Sequence, residues 1–108
     1  MKFFMGLGRY RLDLRDCQSI KDKRRIVKSM IDRVGNSKSM VIREVGDPDY
    51  WKSSKLAVVC LSDSEHSTNR ALARAREVME AVGVDVMEDG QYVFSDDDVA
   101  ESIACQGE

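Results

Sequence analysis

Basic residues between positions 21 and 28 are the densest group of side chains that could bind a ligand. Five of them fall within eight positions: Lys21, Lys23, Arg24, Arg25 and Lys28. Ammonium and guanidinium groups bind nucleic-acid phosphates without needing a fixed spacing. Asp22 and Asp32 are the only acidic residues nearby that could neutralise them. The alternative is a solvated helix face, which charge runs commonly form.

Basic residues of the preceding segment extend this candidate surface. Arg9 and Arg11 lie late in a predicted strand, and Arg15 follows them. Phosphate contacts need several cationic donors along one groove. The predicted nucleic-acid-binding set is Lys21, Lys23, Arg24, Arg25, Lys28, Arg9 and Arg11.

Catalytic and metal-binding patterns are missing from the sequence. His66 is the single histidine, and no serine or cysteine nucleophile is placed beside it by a motif. The cysteines have no zinc-ligand spacing, and the acidic run at 96–98 lacks that of a calcium loop. Residues 13–18 contain no glycine that could shape a phosphate cradle. We predict no enzyme, no cofactor and no metal.

Composition places the protein among cytoplasmic globular domains. The chain has 108 residues, of which 43% are hydrophobic and 33% charged. This suits one domain of ordinary size. Its three cysteines are odd in number and form no CxxC pair, which favours a reducing compartment. No apolar run approaches the roughly 18 residues of a membrane span, so we expect no membrane association.

The candidate basic residues are carried by one helix in a β-α-β-β-α-β pattern. Ser19 is a good N-cap for this helix, which ends at Gly35. Ser62 and Glu65 fit a capping box that starts the second helix. With right-handed crossovers, the order predicts an α+β ferredoxin-like fold, a four-stranded antiparallel sheet with two helices on one face. The strands are predicted over residues 2–12, 38–46, 55–61 and 84–94.

Several local features carry specific expectations. Lys23 falls within the apolar arc of the first helix, so either this end of the helix overhangs the sheet, or the amine snorkels or meets a carboxylate. Gly6 and Gly8 indicate that something packs close to the backbone of the first strand or that the strand bulges; a crossing helix is the preferred interpretation, and a ligand is the alternative. Asp89 and Gly90 interrupt the last strand as a bulge or a hairpin turn.

The sheet face without helices is predicted to be apolar. Residues 56–61 are apolar at every position, which is typical of a strand covered on both faces. The strand has no aromatic residue, so base stacking on the sheet, as in RNA-recognition domains, is not expected. We therefore expect a homodimer across this face, cover by the tail or the last strand, or a ligand surface. The predicted domain is residues 1–94, and residues 95–108 are predicted to be a disordered acidic tail.

Several segments together resemble the YlxP-like family, a bacterial domain of unknown function. Residues 19–29 resemble its S-L-K-x-K-R-x-V-x-K-S signature. The likeness continues through residues 44–46, 49–51 and 62–66 and covers roughly 5–94. Arg15, Arg43 and the acidic tail depart from the family pattern.

The resemblance implies a ferredoxin-like fold and no established catalytic residues. It also implies a role near translation, because the family's genes tend to lie among translation and ribosome-maturation genes. The leading hypothesis is a small non-enzymatic protein that binds RNA or a ribosomal particle through its basic first helix. The alternative is a homodimeric protein-interaction or regulatory module with no nucleic-acid role. Residues His66 and Trp51 have no role assigned by the sequence.

Overall fold

The computed structural model of this chain describes residues 1–106. The elements are β1 (Phe4–Asp13), α1 (Ile20–Val34), β2 (Met40–Glu44), β3 (Ser53–Ser62), α2 (Glu65–Glu80), β4 (Asp85–Ser95) and α3 (Asp96–Gln106). All neighbouring strands are antiparallel, in the order β2-β3-β1-β4. This arrangement confirms the predicted ferredoxin-like fold, with β1 and β3 at the centre of the sheet.

The core lies between the sheet and the helices α1 and α2. Side chains alternate along a strand, so every second residue faces these helices. In β1, Tyr10 and Leu12 are buried in the core, whereas Arg9 and Arg11 are exposed on the other side. The same alternation in β3 buries Leu56, Val58 and Cys60. We call the side without α1 and α2 the open face.

The first residues of α1 and α2 are set by hydrogen bonds to N-cap side chains. The hydroxyl of Ser19 accepts a hydrogen bond from the backbone N–H of Asp22 (3.2 Å), which confirms the predicted N-cap of α1. The predicted N-cap of α2 is wrong. Ser64, not Ser62, caps this helix by accepting from the backbone N–H of Ser67 (3.1 Å). Ser62 is instead the last residue of β3.

Helix α2 crosses β1 at Gly6. A Cβ atom at this position would lie 2.6 Å from Cγ2 of Thr68 and 2.8 Å from Sγ of Cys60. The expected close helix is therefore confirmed at Gly6. Gly8 has a different neighbour, since a Cβ atom there would lie 2.6 Å from the ring of Tyr10.

The irregularity in β4 is a bulge. Arg9 pairs with Gly90, and the next residue, Tyr10, pairs with Glu88. Asp89 is therefore the extra residue, and the strand continues on both sides of it. The structure thus decides between the bulge and the hairpin turn that the sequence left open.

The predicted disordered tail is wrong for residues 96–106, which form α3. Ser95 and Asp98 make a reciprocal capping box. The Ser95 hydroxyl accepts from the Asp98 backbone N–H (3.1 Å), and the Asp98 carboxylate accepts from the Ser95 backbone N–H (2.9 Å). The bond from the Ser95 backbone N–H to the carboxylate holds the pKa of Asp98 below its ordinary value. Acidic residues in a first turn also stabilise a helix. The last two residues of the predicted tail lie outside the described part.

Candidate nucleic-acid interface

The outer side of α1 carries four exposed basic side chains: Lys21, Arg24, Arg25 and Lys28. Successive residues of a helix are about 100° apart, which places these four within an arc of about 100°. The side chains of Arg24 and Arg25 are 68% and 78% exposed. We call this group the basic face of α1. It can offer several cationic donors to one polyanion.

Two members of the basic face have acidic neighbours. A nitrogen of Arg24 lies 3.6 Å from a carboxylate oxygen of Asp49, and Arg25 lies at the same distance from Asp22. Exposed pairs of this length contribute little free energy. Both guanidinium groups could therefore exchange these carboxylates for a phosphate at low cost.

Lys23 belongs to the same helix but is buried, with 1% of its side chain exposed. Its amine lies 2.9 Å from Oε2 of Glu44. It also donates to the backbone carbonyls of Asp47 and Pro48, each at 3.1 Å, and to that of Tyr50. Of the three alternatives that the sequence left open, an overhanging helix end, a snorkelling amine or a carboxylate partner, the structure shows the carboxylate partner.

The placement of Lys23 removes it from the predicted nucleic-acid-binding set. Its amine is enclosed by protein oxygen atoms and cannot reach a phosphate. The same Oε2 of Glu44 also accepts a hydrogen bond from the Ser54 hydroxyl at 2.7 Å. Lys23 therefore fastens the β2–β3 loop to α1, a structural role. We call Lys23, Glu44 and the three carbonyls the lysine latch.

Arg9 and Arg11 do not join the basic face of α1 either. Both lie on the open face, because the residues between and after them face the core. A nitrogen of Arg11 lies 3.5 Å from Asp89, the bulge residue of β4. The seven predicted residues thus fall into three places: the basic face of α1, the buried latch and the open face.

Two basic residues outside the predicted set accompany Arg9 and Arg11. Arg43 and Arg9 both pair with Ala57, so they flank it across the sheet. Lys55 pairs with Arg11 in the next row. The sequence signal that could have predicted this group is the two-residue periodicity of the strands, since all four residues occupy outward positions. We call Arg9, Arg11, Arg43 and Lys55 the basic end of the open face.

The loop between β1 and α1 uses its backbone amides within the protein. The N–H groups of Leu14 and Cys17 donate to the carbonyls of Lys52 and Leu14, each at 2.9 Å. Those of Arg15 and Gln18 donate to carboxylates of Asp13 and Asp22, at 3.0 and 3.3 Å. Amides engaged in this way are not directed towards a bound anion. The bonds from the Arg15 side chain also hold the pKa of Asp13 below its ordinary value.

The single histidine, the aromatic residues of the β2–β3 loop and Cys60 lie in separate places. His66 is exposed in the first turn of α2, and Tyr50 is 52% exposed in the β2–β3 loop. The amine of Lys52 lies 5.4 Å from the ring centre of Trp51. Cys60 is a core residue, as expected. Among the side chains that the structure describes, those of residues 1–104, no three His, Cys, Asp or Glu are grouped to hold a metal ion.

No helix within residues 1–106 is long and apolar enough to cross a bilayer.

Solved structures share this fold at low sequence identity. A C-terminal segment of the alpha subunit of aIF2 from Pyrococcus abyssi is 8% identical, with a TM-score of 0.51, over 80% of this chain and 49% of that one. The Bacillus subtilis YXEP protein, a dinuclear metal binding peptidase from the M20 family, is 9% identical with a TM-score of 0.52, over 83% of this chain and 25% of that one. These likenesses show the fold alone.

Sequence comparison gives the family. The uncharacterized protein YlxP of Bacillus subtilis (strain 168) is 32% identical over 59 residues, which are 55% of this chain and 64% of YlxP. The matched stretch is thus just under two thirds of that relative. A family model described as "Protein of unknown function (DUF503)" matches residues 5–88. The chain belongs to this YlxP-like family of unknown function.

Proposed function

We propose that this protein is a non-enzymatic cytoplasmic protein that binds RNA, free or in a ribosomal particle, through the basic face of α1. The observation that carries the proposal is the exposure of Lys21, Arg24, Arg25 and Lys28 on one side of a single helix. They extend over about 10 Å of the helix axis, since each residue rises about 1.5 Å. Such a row can follow a phosphate backbone without reading its sequence.

The helix supports this role better than the sheet does. Sheet-based recognition of RNA stacks bases on aromatic residues of the central strands. The outward positions of β1 and β3 carry Leu7, Val59 and Leu61 where such aromatics would be needed. An RNA contact therefore depends on charge and should weaken strongly with salt.

The β1–α1 loop supports a binding role over a catalytic one. Acylphosphatase-like chemistry on this fold would need backbone amides directed at a phosphate before α1. Four amides of this loop instead donate to protein oxygens, and two of the acceptors are carboxylates. Carboxylates beside such a site would also repel an anionic substrate.

A matched pair of charge-reversal variants tests the proposal. The variant K21E/R25E/K28E changes the basic face, and K38E/R70E/R74E changes three exposed basic residues elsewhere. Both lower the net charge by the same amount. Fluorescence anisotropy with a labelled structured RNA should show at least tenfold weaker binding for the first variant and at most about threefold for the second. Circular dichroism checks that both remain folded.

Salt dependence provides the second readout. If the basic face contacts about three phosphates, the slope of log K against log salt should be about −2. The slope for K21E/R25E/K28E should be less negative than that for the wild type. Absence of wild-type binding at about 50 mM salt, or equal losses for the two variants, would overturn the proposal.

A further inference from the structure

The open face has an apolar end formed by two rows of paired residues. In one row, Val59 pairs with both Val41 and Leu7, and Leu7 also pairs with Tyr92. In the next row, Met5 pairs with Leu61 and Phe94. The members with the greatest exposure are Val41 (57%), Leu61 (56%), Val59 (47%) and Tyr92 (44%). A contiguous apolar patch of this kind marks an interaction site.

The next two rows of the open face carry its basic residues, and the exposed Met87 flanks Arg11 on the β4 side. Arg43 and Arg9 flank Ala57, and Lys55 lies beside Arg11. The basic end therefore lies nearer the β2–β3 loop than the apolar end does. Along the strand direction the open face passes from the apolar end to the basic end, and then to a last row in which Asp13 pairs with Ser53 and Asp85.

Helix α3 begins at the apolar end of this face. Its preceding residue, Ser95, pairs with Phe4 at the start of β1. The backbone of Asp96 donates to the carbonyl of Phe3 at 3.0 Å, which ties the helix start to that corner. The first half of α3 is acidic, with Asp96, Asp97, Asp98 and Glu101, and Ile103 is 63% exposed.

Helix α3 carries apolar surface that the body of this chain does not cover. Its main contact within the described residues is the end of β4. The protein measures 49 by 30 by 19 Å, with a radius of gyration of 15.5 Å. A compact chain of this length would have a radius of gyration of about 13 Å. The elongation and the exposed Ile103 both fit a helix that extends towards a partner.

We propose that the occupant of the open face is a second copy of this chain, bound with its strands running in the opposite direction. A two-fold axis through the apolar end then packs Val59 and Leu61 against the same residues of the partner copy. It also places the basic end of each copy beside the acidic first half of α3 of the other. The chain is self-complementary in this orientation, as a two-fold interface requires.

The available area explains why α3 belongs to the interface. Four strands about 4.8 Å apart and four rows about 6.7 Å apart give a face of about 500 Å². A stable interface takes about 800 Å² from each partner. The face alone falls short of this area, and α3 lies at the correct edge to supply the remainder.

This dimer leaves the basic face of α1 accessible. The helices α1 and α2 lie on the side of the sheet opposite to the interface, so both copies present Lys21 and Arg25 to solvent. The inference therefore does not depend on RNA binding, although two basic helices in one particle would raise the avidity for a polyanion.

Sedimentation equilibrium between 1 and 100 μM tests the dimer. The variant L61K places a charge in the apolar end, and I103K places one on α3. Each should weaken dimerisation at least tenfold. The control A73K adds a lysine at an exposed position of α2 and should leave the dissociation constant within about twofold. Because all three positions are exposed, circular dichroism should show unchanged folding.

Charge exchange tests the orientation. R9E/R43E and D97K/E101K should each weaken the dimer, and combining them in one chain should restore at least part of the loss. Parallel strands would bring the two basic ends together, so R9E/R43E would then strengthen the dimer and overturn the proposed orientation.

A wild-type chain that stays monomeric at 100 μM overturns the proposal and assigns the open face to a different protein or to the chain's own α3. A dimer unaffected by both L61K and I103K overturns it as well. A failure here leaves the RNA experiment unaffected, since none of these variants changes α1.

Discussion

The two sides of β3 show how differently one strand can be used. Val58 and Val59 are adjacent and chemically identical, yet Val58 is fully buried and Val59 is 47% exposed. Val58 faces α1 and α2, and Val59 faces outward beside Leu7 and Val41. The apolar residues on the covered side form the core of one chain. The open side retains apolar residues that this chain does not cover.

Charged residues differ between the two sides as well. The covered side admits the Lys23 amine only with a carboxylate and three carbonyls around it. This agrees with the large free-energy cost of a buried charge that lacks partners. The open side holds four basic residues in water without such a cage. Burial, and not residue type, decides which lysine supports the fold and which can bind a ligand.

The largest expected effect is at the lysine latch. K23M keeps the apolar stem but removes the charge, which leaves Glu44 without its ion-pair partner and three carbonyls without their donor. Breaking a buried ion pair from one side costs about 3–5 kcal/mol. Urea denaturation should therefore show a large loss in the free energy of unfolding for K23M. The control K21M, on the exposed side of α1, should stay within about 0.5 kcal/mol of the wild type. Equal effects of the two substitutions would contradict the contrast between buried and exposed lysines.

A second pair of variants compares the two sides of β3 directly. V58T and V59T make the same isosteric change at adjacent positions. The threonine hydroxyl is buried among apolar residues at position 58, where a missing hydrogen bond costs about 1–3 kcal/mol. At position 59 the hydroxyl is exposed to water, and the free energy of unfolding should change by no more than about 0.5 kcal/mol. Thermal or urea unfolding of the monomer measures both. A cost for V59T as large as that of V58T would show that the open face is covered in solution.

The smallest effect concerns Tyr10, on the covered side. Its hydroxyl has no hydrogen-bond partner among the side chains and backbone of residues 1–106. Burial, with Glu88 nearby, raises the pKa of this phenol above its ordinary value. Y10F should therefore raise the free energy of unfolding by about 1 kcal/mol at pH 7.

The raised pKa of Tyr10 also gives this variant a pH signature. Above about pH 10 the phenol ionises in the unfolded chain before it ionises in the folded one. The wild type should therefore lose stability as the pH rises from 10 to 11. Y10F should lose less over the same interval. Parallel losses for the two proteins would rule out this contribution from Tyr10.

Much of the fold could be predicted because it follows from local patterns. Strand alternation, the Ser19 cap and the apolar arc of α1 were visible in the sequence and agree with the structure. The exceptions are also local. Ser64, two residues after Ser62, is the cap of α2. The capping box of Ser95 and Asp98 lies in the segment that the sequence predicts to be a disordered acidic tail. The S-x-x-D spacing was the signal that could have predicted α3.

The candidate site was only partly predictable. Arg9, Arg11 and the basic residues of α1 are close in sequence, which suggested one surface. The sheet separates them, since alternation in β1 turns the two arginines away from the helices. Residues that are close along the chain therefore lie on opposite sides of the sheet.

The sequence by itself determined the order of elements, their apolar sides and the exposed basic face of α1, because these depend on periodicities of 2 and 3.6 residues. Only the tertiary structure decided the fate of Lys23. Its environment is assembled from Glu44, Asp47, Pro48 and Tyr50, which lie more than twenty residues away along the chain. A pattern local to α1 marks this lysine as unusual, but its partners come from the end of β2 and from the β2–β3 loop, which only the packed sheet brings to the helix.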